Sequence, residues 1–117
     1  MKNAASPLIS VLMGVYNCAS TVEEAVQSII DQTVTDWELI ICDDGSSDDT
    51  FAVVSSLAEK EPRIVLIRNE HNMGLAPTLN NCLRTARGTY TARMDGDDIC
   101  APVSPKMSPR REKSYIP

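Results

Sequence analysis

Four short apolar runs alternate with amphipathic stretches along the first hundred residues of the chain. Leu8-Ile-Ser-Val-Leu-Met-Gly-Val15 is rich in β-formers and ends on polar Tyr16-Asn17, the pattern of a buried strand running into a loop. Ser20-Thr-Val-Glu23 has the spacing of a capping box, which predicts a helix start. Val22, Ala25, Val26, Ile29 and Ile30 then recur on one face of that helix. Trp37-Glu-Leu-Ile-Ile-Cys42 reads as a second strand, closed by Asp43-Asp-Gly-Ser-Ser-Asp-Asp-Thr50. There Ser47 and Asp48 can cap a second helix with apolar positions Phe51, Val54, Leu57 and Ala58. Pro62 separates it from a third strand, Ile64 to Ile67, and a polar loop runs from Arg68 to Gly74. Leu75, Leu79, Leu83 and Ala86 predict a third helix, with Gly88 as its left-handed stop. Tyr90-Thr-Ala-Arg-Met94 is a fourth strand leading directly into Asp95-Gly-Asp-Asp98.

The order β-α-β-α-β-α-β predicts an α/β fold: a mostly parallel sheet of about four strands with three helices, half of a doubly wound Rossmann-like arrangement. Ligands of such sheets bind outside the carboxyl ends of the strands. Polar clusters fall at all four of those ends: Tyr16-Asn17, Asp43-Asp44, Asn69 to Gly74, and Asp95 to Asp98. At 117 residues the chain is one domain at most. Residues 1–7 read as an N-terminal arm, 8–101 as the domain proper and 102–117 as an irregular tail. Four of the seven prolines lie in that tail, with Lys106, Arg110, Arg111 and Lys113 against Glu112. The tail thus carries +3, and since the whole chain carries −5, residues 1–101 carry −8.

An acidic chain argues against a nucleic-acid partner held by phosphate attraction. The run Leu8–Val15 is too short for a membrane span of about 20 residues and lacks a signal-peptide cleavage pattern. The expectation is a cytoplasmic protein, with peripheral attachment to the inner membrane face left open. Cys18, Cys42, Cys82 and Cys100 form no C-x-x-C pair and accompany a single histidine, so they read as free thiols rather than a zinc or dithiol site.

Asp95-Gly-Asp-Asp98 places three carboxylates within four residues. Their repulsion is relieved by a cation or by solvent, and Mg²⁺ or Mn²⁺ takes such oxygen ligands while binding substrate phosphates. A metal would let an anionic diphosphate approach an acidic edge and would stabilise it as a leaving group. The competing reading is a solvated acidic turn. Ser46, Ser47, Asp48 and Thr50 suit a tight strand-to-helix turn, whereas Asp43 or Asp44 at the strand end can accept a hydrogen bond from a base or ribose. A calcium loop fails for want of a glutamate at its twelfth position. Arg68 is the better phosphate contact in its loop and His71 reads as exposed. Trp37 and Phe51 read as core.

Taken together, Ile9–Asn17, Ser28–Thr33, Trp37–Thr50, Asn69–Leu75 and Gly88–Asp98 resemble the family 2 glycosyltransferases of the GT-A fold, in order and across nearly all of residues 8–101. The resemblance implies that Val15, Tyr16 and Asn17 lie against the base of a nucleotide diphosphate sugar, a UDP-sugar being the expected donor, and that Asp44 contacts the base. It implies that Asp95 holds the ribose or sugar and that Asp97 ligates the metal, with Asp98 as the alternative ligand. Gly14 departs from the Pro or Thr often found before the Val-Tyr-Asn segment.

Enzymes of this kind transfer the sugar to an acceptor hydroxyl, here of a saccharide or glycolipid in cell-surface polysaccharide synthesis. Inverting members use an acidic general base from a later part of a domain roughly twice this long. Nothing after Asp98 matches it, so the expectation is a truncated donor-binding half with its catalytic base missing. The alternative is a catalytically inactive nucleotide-binding or interaction fragment; a phosphoacceptor domain is disfavoured for want of a partner lysine. A half-sheet should also expose a strand edge and favour self-association.

Overall fold

In a computed structural model the chain is described over residues 7–31, 36–95 and 107–109. Strands β1 (Ile9–Val15), β2 (Trp37–Asp43), β3 (Ile64–Arg68), β4 (Tyr90–Asp95) and β5 (Met107–Pro109) form one sheet in the order β3-β2-β1-β4-β5. The first four are mutually parallel and β5 pairs antiparallel with β4. Helices α1 (Val22–Ile30), α2 (Thr50–Lys60) and α3 (Leu75–Thr85) make the crossovers. The α/β alternation expected from the apolar pattern is the one found.

The period-two alternation of β1 and β2 divides the core into two layers. Val11, Met13 and Val15 of β1 and Leu39 and Ile41 of β2 face α1 and α2, packing on Val22, Ala25, Val26, Ile29 and Val54. Leu12, Ile40 and Cys42 face the other way, onto Leu79, Cys82 and Ala86 of the α3 segment. Because α1 and α2 lie on one face and α3 on the other, the strand order reverses at β1. The crevice between β1 and β4 is therefore the topological switch point, the place where such sheets bind ligands.

Local details depart from the sequence pattern in four places. The Ser20 capping box does not form: α1 is entered through a turn in which the Thr21 and Val22 N–H groups donate to the Cys18 carbonyl, at 3.0 and 2.9 Å. On α3 the buried positions are Thr78, Leu79 and Cys82, while Leu75 is 49% exposed, because Leu75 opens the helix at the ligand edge rather than over the sheet. Gly88 is not a left-handed stop. It is required by close approach, since a Cβ there would sit 2.6 Å from the Ser10 nitrogen, and its N–H donates to Ser10 Oγ at 2.7 Å. Finally, three residues of the stretch expected to be irregular, Met107–Pro109, pair as β5 along half of β4.

The end of the sheet opposite the ligand edge is closed by a buried carboxylate. Glu38 accepts Ser10 Oγ at 2.5 Å, the Arg87 N–H at 2.8 Å and the Arg87 guanidinium at 3.1 Å. This ties the exit of α3 to β1 and β2, so the register of the switch point is held from below.

Candidate functional site

The carboxyl end of β1 and the N-terminus of α3 enclose a pocket of about 200 Å³, lined by Gly14, Val15, Tyr16, Asp44, Asn72, Gly74, Leu75 and Thr78. Its floor is the backbone of β1. A side chain at Gly14 would narrow it, since a Cβ there lies 3.2 Å from Thr78 Cγ2 and 3.4 Å from Leu75 Cδ1. Its mouth is apolar: Tyr16 and Leu75 are each about half exposed, as is Met73 beside them.

Asp44 is the organising residue. Its N–H donates to the Val15 carbonyl at 2.8 Å, extending the β1–β2 pairing by one residue. Its side chain is buried, and each carboxylate oxygen accepts two hydrogen bonds. Oδ1 takes Asn69 Nδ2 at 2.9 Å and the Met73 N–H at 2.7 Å. Oδ2 takes Asn72 Nδ2 and the Gly74 N–H, both at 2.9 Å. Burial by itself would raise the Asp44 pKa, but the donors from Asn69, Met73, Gly74 and Thr78 outweigh it and hold the carboxyl below the usual carboxylate value. The loop from residue 69 to 74 is thus wrapped around one anion. Gly45, at φ +74°, lets it close: a Cβ there would lie 2.6 Å from the His71 carbonyl carbon.

Asp43 is fully buried and faces away from the pocket. It accepts Ser46 Oγ at 2.5 Å and pairs with Arg68 Nε at 3.3 Å, while the Arg68 guanidinium lies 4.2 Å from the centre of the Phe51 ring. Arg68, expected as a phosphate contact, is committed to this pair. Asn17, at φ +49°, accepts the Ser47 N–H at 2.9 Å and the Asp48 N–H at 3.3 Å through Oδ1, pinning the turn after β2 to the turn after β1. Asp48 in turn accepts the Thr50 N–H and hydroxyl, at 2.9 and 2.5 Å, which with its exposure holds its carboxyl below the ordinary value. The capping role expected of Asp48 is filled, one residue outside the helix. His71 is exposed, as expected, and Trp37 is core, with Arg63 stacked 3.8 Å from its ring centre.

Of the residues singled out in the sequence, Val15, Tyr16 and Asp44 meet at the pocket and Asn17 braces its rim. Asp95 ends β4 directly beside Gly14 in the parallel register, so the acidic run leaves the sheet at the pocket's edge. Asp97 and Asp98 lie outside the described residues. Among the described residues no three acidic, histidine or cysteine side chains gather in a metal-ligating cluster. Asn72, Gly74 and Thr78 were not foreseen as lining residues. The only sequence signal was the polarity of the loop after β3, and α3 reads as core until its first turn is seen to lean over β1.

Residues 10–107 match the family described as glycosyl transferase family 2. The chain belongs to this family. Over 97 residues it is 47% identical to EpsE of Bacillus subtilis, which carries a glycosyltransferase name; the match covers 82% of this chain and 35% of that protein. It is 40% identical over 91 residues to WfaP of Escherichia coli, a UDP-Glc:α-D-GlcNAc-diphosphoundecaprenol β-1,3-glucosyltransferase, with 78% and 36% coverage. Among solved structures, a mannosyltransferase from Pyrobaculum calidifontis in complex with GDP-Man and Mn²⁺ aligns with a TM-score of 0.73 at 30% identity, over 80% of this chain and 28% of that one. Staphylococcus aureus TarS 1-349 in complex with UDP-GlcNAc aligns with a TM-score of 0.72 at 25% identity, with 77% and 26% coverage. The chain therefore spans about a third of the curated relatives it matches and somewhat less of the solved chains.

Proposed function

We propose that this family 2 chain is the donor-binding part of a metal-dependent glycosyltransferase that moves a sugar from a nucleotide diphosphate to an acceptor hydroxyl in polysaccharide or glycolipid synthesis. The observation that carries the reading is the pocket at the switch point, with the acidic run of β4 arriving beside its floor. In this reading Val15, Tyr16 and the Asp44 loop surround the base, with Asn17 bracing that surface. Asp95 takes the ribose or sugar, and Asp97 with Asp98 ligates Mg²⁺ or Mn²⁺. Carboxylate oxygens suit these hard ions, which would neutralise the diphosphate and stabilise it as it departs. The neighbour with GDP-Man and Mn²⁺ and the neighbour with UDP-GlcNAc support a nucleotide-sugar ligand, and a UDP-sugar is the donor proposed here.

No residue of this chain is assigned the general base, and the matched relatives are about three times its matched length. Binding without efficient turnover is therefore the expected behaviour of the 117 residues. Among the described residues no helix is long and apolar enough to cross a membrane. The proposed setting is the cytoplasmic side, peripheral to the membrane where a glycolipid acceptor would be presented.

Calorimetric titration with UDP and GDP, with and without Mn²⁺, tests the reading. Binding strengthened by the ion supports it, and absence of binding under both conditions overturns it. Turnover of a labelled nucleotide sugar separates enzyme from binder; little or none is expected from this chain alone.

A further inference from the structure

The saturation of Asp44 changes which group can read the base. A carboxylate offers about four lone-pair positions. Asn69, Asn72, Met73 and Gly74 fill all four, so no open acceptor on Asp44 faces the pocket. The same contacts fix the Asn72 amide. An ionised carboxylate only accepts, so Asn72 must turn its NH₂ group toward Asp44, where Nδ2 lies 2.9 Å from Oδ2 and 3.4 Å from the main-chain oxygen. That leaves Asn72 Oδ1 as the open acceptor of a side chain that is exposed and lines the pocket.

We propose that Asn72 Oδ1 accepts the ring N–H of the donor's nucleobase, and that Asp44 is a positioning residue that orients Asn72 and holds its loop closed. The inference rests on the donor-site reading above and deepens it. It selects bases that carry a ring N–H beside a carbonyl, as uracil and guanine do, over cytosine and adenine, whose corresponding ring nitrogen is an acceptor. A lone-pair clash replaces the hydrogen bond in the second pair, and a site built to pair with a donor discriminates strongly against its absence.

The experiment compares the affinities of UDP with CDP, and of GDP with ADP, in the presence of Mn²⁺. The whole chain should favour the N–H base of whichever pair binds by about tenfold or more. Asn72→Ala should bring that ratio close to one. Asp44→Asn, introduced into the Asn72→Ala background, should weaken both nucleotides of the pair alike and leave the ratio unchanged. A ratio retained in Asn72→Ala overturns the proposal, and so does a ratio that Asp44→Asn still alters once Asn72 is gone. If the double variant fails to fold, the Asn72→Ala ratio decides alone. Wild-type chain that binds no nucleotide overturns the donor-site reading itself; wild-type chain that binds without base preference overturns only this inference.

Discussion

At the scale of single residues, the switch point is held by an anion and two glycines. Asp44 is ionised in the fold and held below its ordinary pKa, so the sign of its pH effect is fixed. Above the unfolded carboxylate value of about 3.9 its stabilisation is fully present, and it is lost as pH falls through the lower folded value. Urea midpoints measured from pH 7 to pH 3 should therefore fall below about pH 4, and Asp44→Asn should flatten that acid limb while lowering the midpoint at pH 7. Gly45 and Gly14 make a graded pair. At Gly45 both the positive φ and a backbone atom 2.6 Å from the added Cβ oppose a side chain, so Gly45→Ala should cost about 1–3 kcal/mol or more. At Gly14 the nearest atom is the Thr78 methyl at 3.2 Å, which can give way, and φ is not positive. Gly14→Ala should be close to neutral in a urea melt while weakening nucleotide binding by narrowing the pocket; equal destabilisation at the two glycines would contradict this assignment.

Elements show where sequence is informative and where it is not. The strands and helices were legible because each apolar face has one partner: Val22, Ala25, Val26 and Ile29 fall on α1's buried face as their spacing requires. Chain entries and exits were not. Ser20 and Glu23 match a capping box, yet the turn at Cys18 supplies the carbonyl that the first N–H groups use, and Thr50 Oγ1 of another element accepts the Cys18 N–H at 2.8 Å. Gly88 looked like a helix stop because its reason, contact with Ser10, lies 78 positions away. The same blindness hid the site's polar partners, since Asn69, Asn72 and Asp44 are joined across 25 and 28 residues and nothing local marks them. Glu38 gives the element scale its prediction. It is 3% exposed, while its partner Arg87 has a half-exposed side chain. Removing Glu38 leaves the guanidinium free to reach water but strands the Ser10 hydroxyl and the Arg87 N–H. Glu38→Ala should cost about 1–3 kcal/mol in a chemical melt, and Glu38→Gln, which keeps one acceptor, should recover part of it.

On the scale of the whole molecule, the sheet satisfies its hydrogen bonds unevenly. β1 and β2 are paired along both sides, but β3 is an outer strand with a single neighbour, and Val65 and Ile67, on the face that carries α3, are only half buried. At the other side β5 reaches only Tyr90 to Ala92, leaving Arg93 to Asp95 of β4 without a β5 partner. A five-residue parallel edge beside half-buried apolar side chains is the geometry that pairs with another copy, because unpaired N–H and C=O groups and apolar surface are removed from water together. Arg68 at the end of β3 works against this as a charge on the edge, yet it is drawn inward by Asp43 and Phe51 and so protects the edge poorly. The expected result is concentration-dependent elution in size-exclusion chromatography, and Ile67→Lys, which places a charge beside the same strand, should shift the chain toward the monomer. Elution at the monomer position across a hundredfold range of concentration, about 1 to 100 μM, would show that the sheet's edges are sufficiently protected as they stand.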